Sequence, residues 1–316
     1  MSVGKRKKQS PAVVRNCQLL RWRGGKNPVA DLRETGIVSA GNRAFAGCRY
    51  LEEVLLPETF SAVKIGAFRN CPRVKRVDLP AGNNVGVGAG SFENCHRLAK
   101  IGHAELISSV GDRAFAGCHS LAEFSFGAEL TRIGERAFAD CVGLTCLSLP
   151  RGIASVGEET FLRCTELARV DLSDLRAPLA IGMFRDCISL SEILFPSQPS
   201  LVLPPSVFRG CSALESVRVP GNVEKIGASA FRDCRRLTSV VMESGVTEIA
   251  PHAFDGCASL TEITLPRTLA KIGFRAFGSR PRSAPPLVLH TENQHLAALF
   301  RRLLVRSGVK NVTVAE

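Results

Sequence analysis

Residues 112–118 read DRAFAGC, and close variants of this stretch recur along the chain. Residues 42–48 read NRAFAGC, and residues 135–141 read ERAFADC. In each copy a phenylalanine stands three residues before a cysteine, and an aliphatic residue follows three residues after it. Repetition at a fixed period has to be recognised first, because it determines the whole architecture of a repeat protein.

The repeat places one phenylalanine and one cysteine in every 23 or 24 residues. The phenylalanine column is Phe45, Phe68, Phe92, Phe115, Phe138, Phe161, Phe184, Phe208, Phe231, Phe254 and Phe277. The cysteine column is Cys48, Cys71, Cys95, Cys118, Cys141, Cys164, Cys187, Cys211, Cys234 and Cys257. Of the twelve cysteines, Cys17 and Cys146 alone stand outside this series. One buried Cys beside one stacked Phe per coil is typical of a core ladder, since a buried free Cys packs as a small hydrophobic residue.

Apolar residues also follow each cysteine of the series at plus three and plus six, and at plus eight in every coil except the one with His103. Side chains two residues apart on a strand point to the same face. The apolar residues at plus six and plus eight therefore predict a short strand with that face toward the core. An Ile-Gly or Val-Gly step then leads back to the phenylalanine, with room for only a turn, a 3₁₀ turn or one α-turn. A coil this small cannot bury its own apolar face, which predicts a stacked solenoid. About eleven coils spaced at ~4.8 Å would be on the order of 50 Å long.

Two longer stretches resemble a known family. LTEITLPRTLAKIGFRAF at residues 260–277 and KIGASAFRDCRRL at 225–237 are similar to the BspA-like, treponemal-type leucine-rich repeat of ~23 residues. The resemblance covers roughly residues 36 to 290. It implies a right-handed solenoid with a parallel sheet on its inner face and a role in binding other proteins, without catalytic residues. The expected fold is therefore an α/β leucine-rich-repeat solenoid of about eleven coils, with short outer turns or 3₁₀ segments.

The ends of the chain differ from the repeat, as terminal coils must if they are to cover the core. We expect a disordered basic tail at 1–11, an N-terminal capping segment at 12–36, the solenoid at 37–286 and a C-terminal cap at 287–316. Trp22 lies 23 residues before Phe45 and is a candidate for the phenylalanine column of a degenerate first coil. In the C-terminal cap, Leu287 and Leu289 match the strand columns, and a helix and a final strand follow.

The net charge of +12 is carried by the ends of the chain. Residues 1–26 hold eight Lys or Arg and no acid, whereas residues 27–266 hold 24 basic and 27 acidic residues. No stretch reaches the ~18 apolar residues of a membrane helix, and the first residues lack the apolar run of a signal peptide. We expect an intracellular monomer, cytoplasmic or nuclear. The basic run Lys5, Arg6, Lys7 and Lys8 is a candidate nuclear import signal.

No catalytic signature is found in the sequence. The cysteine period does not match the spacing of zinc ligands, and phosphate-binding loops and nucleophile motifs are not found. His96 and His119 should stack on adjacent coils, but no third metal ligand accompanies them. Cys146, at plus five, should point outward and is a better candidate for a modifiable thiol than any ladder cysteine. We therefore expect no enzyme activity, no metal and no cofactor.

A binding surface is expected at the outward strand positions, plus five and plus seven of each coil. The charged residues predicted there are Glu53, Arg76, Asp78, Lys100, Glu123, Arg169, Asp171, Glu192, Arg218 and Glu262. Interleaved charges of both signs favour a protein partner, because phosphate backbones call for clustered Lys and Arg. The leading hypothesis is a non-catalytic protein-interaction scaffold that uses this face. The alternatives are a cell-surface adhesin, as in many members of the family, and a nucleic-acid or ribonucleoprotein factor bound through the basic termini.

Overall fold

The computed structural model describes residues 11–278, 283–291 and 312–315, which form a solenoid of short strands and turns. Within these residues the helical segments are two 3₁₀ turns, Arg33–Thr35 and Ala104–Leu106. The strands in chain order are β1 (Ala12–Arg15), β2 (Gln18–Trp22), β3 (Val29–Asp31), β4 (Ser39–Ala40), β5 (Glu53–Leu55), β6 (Ala62–Val63), β7 (Arg76–Asp78), β8 (Val85–Val87), β9 (Lys100–Gly102), β10 (Ile107–Val110), β11 (Arg132–Ile133), β12 (Cys146–Ser148), β13 (Ser155–Val156), β14 (Arg169–Asp171), β15 (Glu192–Leu194), β16 (Leu201–Leu203), β17 (Ser216–Val219), β18 (Val223–Ile226), β19 (Ser239–Met242), β20 (Glu248–Ile249), β21 (Glu262–Leu265), β22 (Lys271–Ile272), β23 (Leu287–Thr291) and β24 (Val312–Ala315). The predicted solenoid is confirmed.

The strands that follow each cysteine form what we call the front sheet. It consists of three parallel panels, β3-β5-β7-β9, β12-β14-β15 and β17-β19-β21-β23-β24. The plus-six residues are buried as predicted, with Val54, Val77 and Val170, for example, 0% exposed; only Ile193 among them is half-buried. Successive coils pair in register, with Val54 opposite Val77. One face of the front sheet therefore covers the core, and the other carries the plus-five and plus-seven side chains outward.

A second parallel sheet, the back sheet, was not predicted. Most of the Ile-Gly and Val-Gly steps are short strands that pair between coils, in the series β2-β4-β6-β8-β10-β11-β13 and β16-β18-β20-β22. Gly157 shows why the step contains glycine, since a Cβ there would lie 2.3 Å from the backbone nitrogen of Glu135 in the preceding coil. Glycine allows this close approach of two backbones. Most coils thus have a strand on two sides.

The turn from glycine to cysteine carries the two predicted ladders. The phenylalanine rings stack in sequence, with centroids 4.5 Å apart for Phe45 and Phe68 and 5.7 Å apart for Phe254 and Phe277. Trp22 continues this column, with its ring 6.0 Å from that of Phe45. From Cys71 to Cys257 every ladder thiol is buried, and Cys48 is half-buried. The core-ladder interpretation of the Phe and Cys repeat is confirmed.

Each turn also contains a left-handed residue immediately before the cysteine. The φ angle there is +75° at Gly117, +58° at Asn70 and +59° at Asp140. Gly, Asn and Asp adopt this conformation at the lowest cost, which explains why they dominate this position. Arg163 is the exception in the column, at φ +56°.

The front sheet is interrupted where the core columns contain phenylalanine. The coil with Phe124 and Phe126 has no front strand, and the rings of both residues meet Phe138 edge-on at 4.9 and 5.4 Å. Phe195, at the plus-eight position of its coil, packs edge-on against Phe208 just before the second interruption, between β15 and β17. A ring is larger than the Val, Ile or Leu of neighbouring coils, so it holds the strand away from the hydrogen-bonding distance of the next one.

Within the described residues the back sheet is interrupted once, between β13 and β16, where residues 171–184 supply no back strand. At the N-terminal end, β1 pairs antiparallel with β2. Leu287 and Leu289 are buried in β23, and β24 pairs parallel with that strand. The helix predicted between these strands falls at residues 292–311, outside the described residues, as do residues 1–10 of the predicted tail.

Candidate functional site

The outward side chains of the front sheet, which we call the front face, hold most of the predicted binding residues. Nine of the ten lie on front strands: Glu53, Arg76, Asp78, Lys100, Arg169, Asp171, Glu192, Arg218 and Glu262. The tenth, Glu123, is exposed but lies in the coil without a front strand. The predicted row is therefore divided into three panels and does not form one continuous strip. Lys5, Arg6, Lys7 and Lys8 lie outside the described residues.

In the first panel the parallel register aligns Glu53, Arg76 and Lys100 across three coils. Arg76 donates hydrogen bonds to both carboxylate oxygens of Asp78, at 2.7 and 2.8 Å. This hydrogen bond and the negative charge of Asp78 raise the pKa of Arg76 above its ordinary value. Arg76 nevertheless remains 49% exposed, so a partner can reach it.

The second panel joins Arg169 and Glu192, which lie opposite each other on β14 and β15 with 3.3 Å between Nη1 and Oε1. Asp171 accepts a hydrogen bond of 2.6 Å from the Ser173 hydroxyl, and this bond lowers the pKa of the carboxyl group. Cys146 on β12 lies opposite Arg169 of β14 and is exposed, as the sequence predicted. This panel presents one ion pair and one accessible thiol.

In the third panel Arg218 extends to Glu243 in the loop after β19, with Nε 2.7 Å from Oε1. The hydrogen bond from Arg218 lowers the pKa of Glu243. Glu262 lies next to Ser239 on the neighbouring strand. The side chains of Arg76, Arg169 and Arg218 are 49%, 52% and 74% exposed, and each is already paired with a carboxylate. Exposed pairs of this kind contribute at most about 1 kcal/mol, so they can exchange partners at small cost.

The predicted histidine stack is present. The rings of His96 and His119 lie on adjacent coils with centroids 4.6 Å apart, and His96 Nδ1 is 3.0 Å from the carbonyl oxygen of Gly117. Within residues 11–278, 283–291 and 312–315, no three His, Cys, Asp or Glu side chains are grouped as metal ligands would be. His103, at an otherwise apolar plus-eight position, adopts φ +57° and is 47% exposed beside Glu105.

The side of the solenoid formed by the turns from glycine to cysteine, and by the residues just after the cysteine, is called the turn edge. A groove of about 340 Å³ on the turn edge was missed by sequence reasoning. Its lining includes Arg113, Arg136, Arg163 and Arg185 from successive coils. Glu159 is 13% exposed and lies between two arginines. The Nε of Arg136 is 2.6 Å from Glu159 Oε2, and the Nη1 of Arg185 is 2.6 Å from Glu159 Oε1. These arginines are 22 to 27 residues apart in sequence and meet only because the coils stack. Arg113 and Arg136 share one turn position, two residues before the phenylalanine, but Arg163 and Arg185 follow the phenylalanine, so no single column of the repeat marks the groove.

The ladder thiols differ chemically from a catalytic cysteine. The Sγ of Cys118 donates a hydrogen bond to the carbonyl oxygen of Phe92 at 3.2 Å, and the same contact recurs from Cys71 to Cys257. Burial raises the pKa of Cys118 well above its ordinary value. Because the thiolate is the nucleophilic form, these groups act as donors in the core.

No helix in the described part of the chain combines the length and apolar composition required to cross a bilayer.

Comparison with known proteins gives a family match over most of the chain. The model of the BspA type leucine rich repeat region matches in six copies, at residues 32–102, 85–212 and 201–282. A leucine-rich repeat protein of Bacteroides ovatus is 21% identical, with 95% of this chain and 94% of that chain covered and a TM-score of 0.51. A leucine rich cell surface protein of Faecalibacterium prausnitzii is 21% identical over 84% and 91%, with a TM-score of 0.45.

The T. pallidum leucine rich repeat protein is 27% identical, with 62% of this chain and 82% of that chain covered and a TM-score of 0.44. No curated protein sequence matches the chain. At these levels of identity, the likeness to the B. ovatus structure establishes the solenoid fold and nothing about a ligand.

Proposed function

The chain belongs to the BspA type leucine-rich repeat family, and on that basis we propose that it is a non-catalytic scaffold that binds a protein partner through the front face. Long solenoids use an extended repeated surface to bind other proteins. The partner's surface would carry charges of both signs, complementary to the paired residues of the three panels. The scaffold acts as a monomer in this proposal.

The observation that carries the proposal is the fixed spacing of exposed charges on a fully packed support. Arg169 and Glu192 project from strands whose next residues, Val170 and Ile193, are in register and pack into the core. The side chains are therefore presented at a constant spacing, and little backbone entropy is lost on binding. Complementary charges at such a surface supply specificity and speed association more than they add affinity.

The absence of catalysis in this proposal is supported by the chemistry of the ladder. The buried thiols are protonated donors to backbone carbonyls. The exposed carboxylates Asp78 and Glu192 are engaged by Arg76 and Arg169. Neither group is arranged as a general base or nucleophile beside a reacting site.

The test is charge reversal at three front-face arginines, Arg76→Glu, Arg169→Glu and Arg218→Glu together. We expect this variant to lose its partner in quantitative affinity purification while its thermal unfolding stays close to that of the parent. The matched control reverses three exposed arginines outside the front strands, Arg132→Glu, Arg235→Glu and Arg275→Glu, which changes the net charge equally. Equal loss from both variants, or retained binding by the front-face variant, would reject the front face.

Site-specific photo-crosslinking provides a direct readout of contact. Ser148 is exposed at the end of β12 on the front sheet, and Ser155 is exposed on β13 of the back sheet. A photoreactive amino acid at Ser148 should form a crosslink to the partner, whereas the same group at Ser155 should not. Crosslinks from Ser155 alone would assign the partner to the other side of the solenoid.

We propose an intracellular site of action. All twelve cysteines are free, including the exposed Cys17 and Cys146, and exposed thiols persist most readily in a reducing compartment. A membrane-impermeant maleimide applied to intact cells should leave Cys146 unlabelled, and the same reagent should label it after lysis. A Cys146→Ser variant identifies the signal. Labelling of intact cells would instead support the cell-surface adhesin.

A further inference from the structure

The first coils carry cations on the turn edge that no acidic side chain neutralises. Residues 11–100 contain 14 Lys or Arg and seven Asp or Glu. Within the described residues, Arg23, Lys26, Arg43 and Arg49 are exposed and form no ion pair. The excess of positive charge is therefore located on the folded body as well as in the terminal tail.

Coil stacking brings these cations together. Lys26 and Arg49 occupy the position after the cysteine column, where His96 and His119 stack two coils further on. The Cγ of Arg43 lies 3.4 Å from the point where a Cβ of Gly66 would lie, so the Arg43 side chain extends over the turn of the next coil. Neighbouring phenylalanines here are 4.5 and 4.9 Å apart, which sets the spacing between successive rows of charge.

Tyr50, the only tyrosine of the chain, lies among these cations and is 42% exposed. Arg73 of the next coil places its guanidinium 5.8 Å from the centre of the ring. Arg97 follows Arg73 in the same column of the stack. We call Arg23, Lys26, Arg43, Arg49, Tyr50, Arg73 and Arg97 the basic turn patch.

Two acids in the coils of the basic turn patch, Glu52 and Glu93, are already engaged. Glu52 forms an ion pair with Lys75 at 2.7 Å. This pair, and to a smaller extent the charges of Arg73 and Arg97, lower the pKa of Glu52. Glu93 is 12% exposed and pairs with Arg69 at 3.0 Å. These acids therefore leave the patch strongly positive.

Most arginines of the same turn edge are neutralised further along the chain, whereas Arg235 and Arg275 are exposed and form no ion pair within the described residues. Arg136 and Arg185 share Glu159, and Arg163 pairs with Asp140 at 2.6 Å. Further along, Arg209, Arg232 and Arg236 also have carboxylate partners. An arginine with an internal partner supports the solenoid, whereas a cluster without partners is repelled by itself and favours an external polyanion. The contrast between the two ends separates the basic turn patch from ordinary surface charge.

We propose that the basic turn patch binds single-stranded nucleic acid, a function distinct from protein binding by the front face. The arginines and Lys26 contact phosphates, and the Tyr50 ring stacks on an exposed base. Unsequestered cations around an aromatic side chain are the combination by which proteins hold single strands without sequence readout. An acidic peptide would use the charges but not the ring, and a duplex keeps its bases stacked inside the helix.

The proposal is tested with the full chain and a fluorescently labelled 15-nucleotide oligouridylate or oligothymidylate, by fluorescence anisotropy over a range of salt concentrations. Replacing Arg43, Arg49 and Arg73 by Gln should weaken binding at least about tenfold and reduce the salt slope by about two, because each lost phosphate contact contributes about 0.7 on a single strand. Replacing Arg76, Arg169 and Arg218 by Gln removes equal charge from the front face and should leave binding unchanged.

Tyr50 distinguishes stacking from simple charge attraction. Tyr50→Ala should weaken binding roughly fivefold or more at an unchanged salt slope, and Tyr50→Phe should retain the parent affinity. A duplex of the same length and polyglutamate as competitor are measured in parallel. Preferred binding of the duplex, or a Tyr50→Ala variant equal to the parent together with effective competition by polyglutamate, would overturn the proposal. The second result would indicate an acidic protein partner.

Two further arms separate the patch from the tail and from lipid. Replacing Lys5, Arg6, Lys7 and Lys8 by Gln should lower affinity without abolishing the effect of the Arg43, Arg49 and Arg73 substitutions. If the tail variant lost all binding while the patch variant kept it, the site would lie in the tail and the proposal would be wrong. Vesicles containing anionic lipid that displace the oligonucleotide at equal phosphate concentration would likewise assign the patch to a membrane surface.

Discussion

The Sγ of Cys141 donates a hydrogen bond of 3.2 Å to the carbonyl oxygen of Phe115, 26 residues earlier in the chain. The same carbonyl also accepts the backbone N–H of Cys118 at 3.1 Å. The two ladders are therefore joined, because the thiol of each coil from Cys71 to Cys257 donates a hydrogen bond to the phenylalanine carbonyl of the coil before it. A cysteine at this position fills the core and also supplies a donor to a buried carbonyl.

Removing that thiol should destabilise the solenoid. Cys141→Ala leaves a cavity and deletes the hydrogen bond to Phe115, and we expect a loss of roughly 1–2 kcal/mol in the free energy of unfolding. Urea denaturation followed by circular dichroism measures the change. Cys146→Ala, on an exposed cysteine, is the control and should stay within about 0.5 kcal/mol of the parent. Equal effects at the two positions would contradict the role given to the ladder.

The thiols should fall into two kinetic classes with Ellman's reagent at pH 8. Cys17 and Cys146 are exposed and should react rapidly, whereas the buried ladder thiols react only when the coils open. The Cys17→Ser, Cys146→Ser double variant should lose the rapid phase and keep the slow one. A rapid phase that persists in this variant would show that the ladder is accessible in the native state.

Alkaline pH should destabilise the protein steeply. Burial raises the pKa of Cys118, Cys164, Cys211 and Cys234 well above the ordinary thiol value. The folded state therefore keeps protons that the unfolded chain releases above pH ~8.5. This stability is complete below that pH and is lost as pH rises, by about 1.4 kcal/mol per thiol per pH unit.

The loss is measured as the slope of unfolding free energy between pH 8.5 and 10.5. Burial also raises the pKa of Cys141, so Cys141→Ala should reduce the slope by about one thiol's share, or about 1.4 kcal/mol per pH unit. A flat profile up to pH 10.5 would show that the ladder thiols titrate normally.

The left-handed turn position should discriminate among residue types. Gly117 has φ +75°, and a Cβ there would lie 2.9 Å from Oδ1 of Asn94. Gly117→Val should cost about 1–2 kcal/mol, since β-branched residues strongly disfavour this conformation. Gly117→Asn should cost clearly less, as Asn70 and Asn94 already occupy the position in other coils. Thermal unfolding of the two variants provides the comparison.

Much of the architecture could be predicted because the period is regular. Phe, Cys and the apolar columns recur at 23 or 24 residues, so their burial follows from stacking alone. The back sheet could not be predicted, because two-residue strands such as Arg132–Ile133 are too short to show an alternating pattern. The interruptions of the front sheet depend on the volume of Phe124, Phe126 and Phe195 relative to neighbouring coils.

The candidate surfaces were predicted unequally. The outward positions of the front strands follow from strand alternation, and nine of ten charged residues lie there. Which of them form ion pairs, such as Arg169 with Glu192, depends on side-chain reach and could not be predicted. The basic turn patch was missed because Arg23 and Lys26 were counted with the basic N-terminal segment, whereas Arg43, Arg49, Arg73 and Arg97 were counted with the slightly acidic body.

The sequence by itself determined the solenoid, its period, its two core ladders and the family. These features depend on contacts that every coil repeats, so one coil's pattern is sufficient to predict the rest. Only the tertiary structure decided which arginines are neutralised and which are left exposed. Stacking places residues from different coils side by side, and the sign and reach of those neighbours determine whether a charge has an internal partner or is available to a ligand.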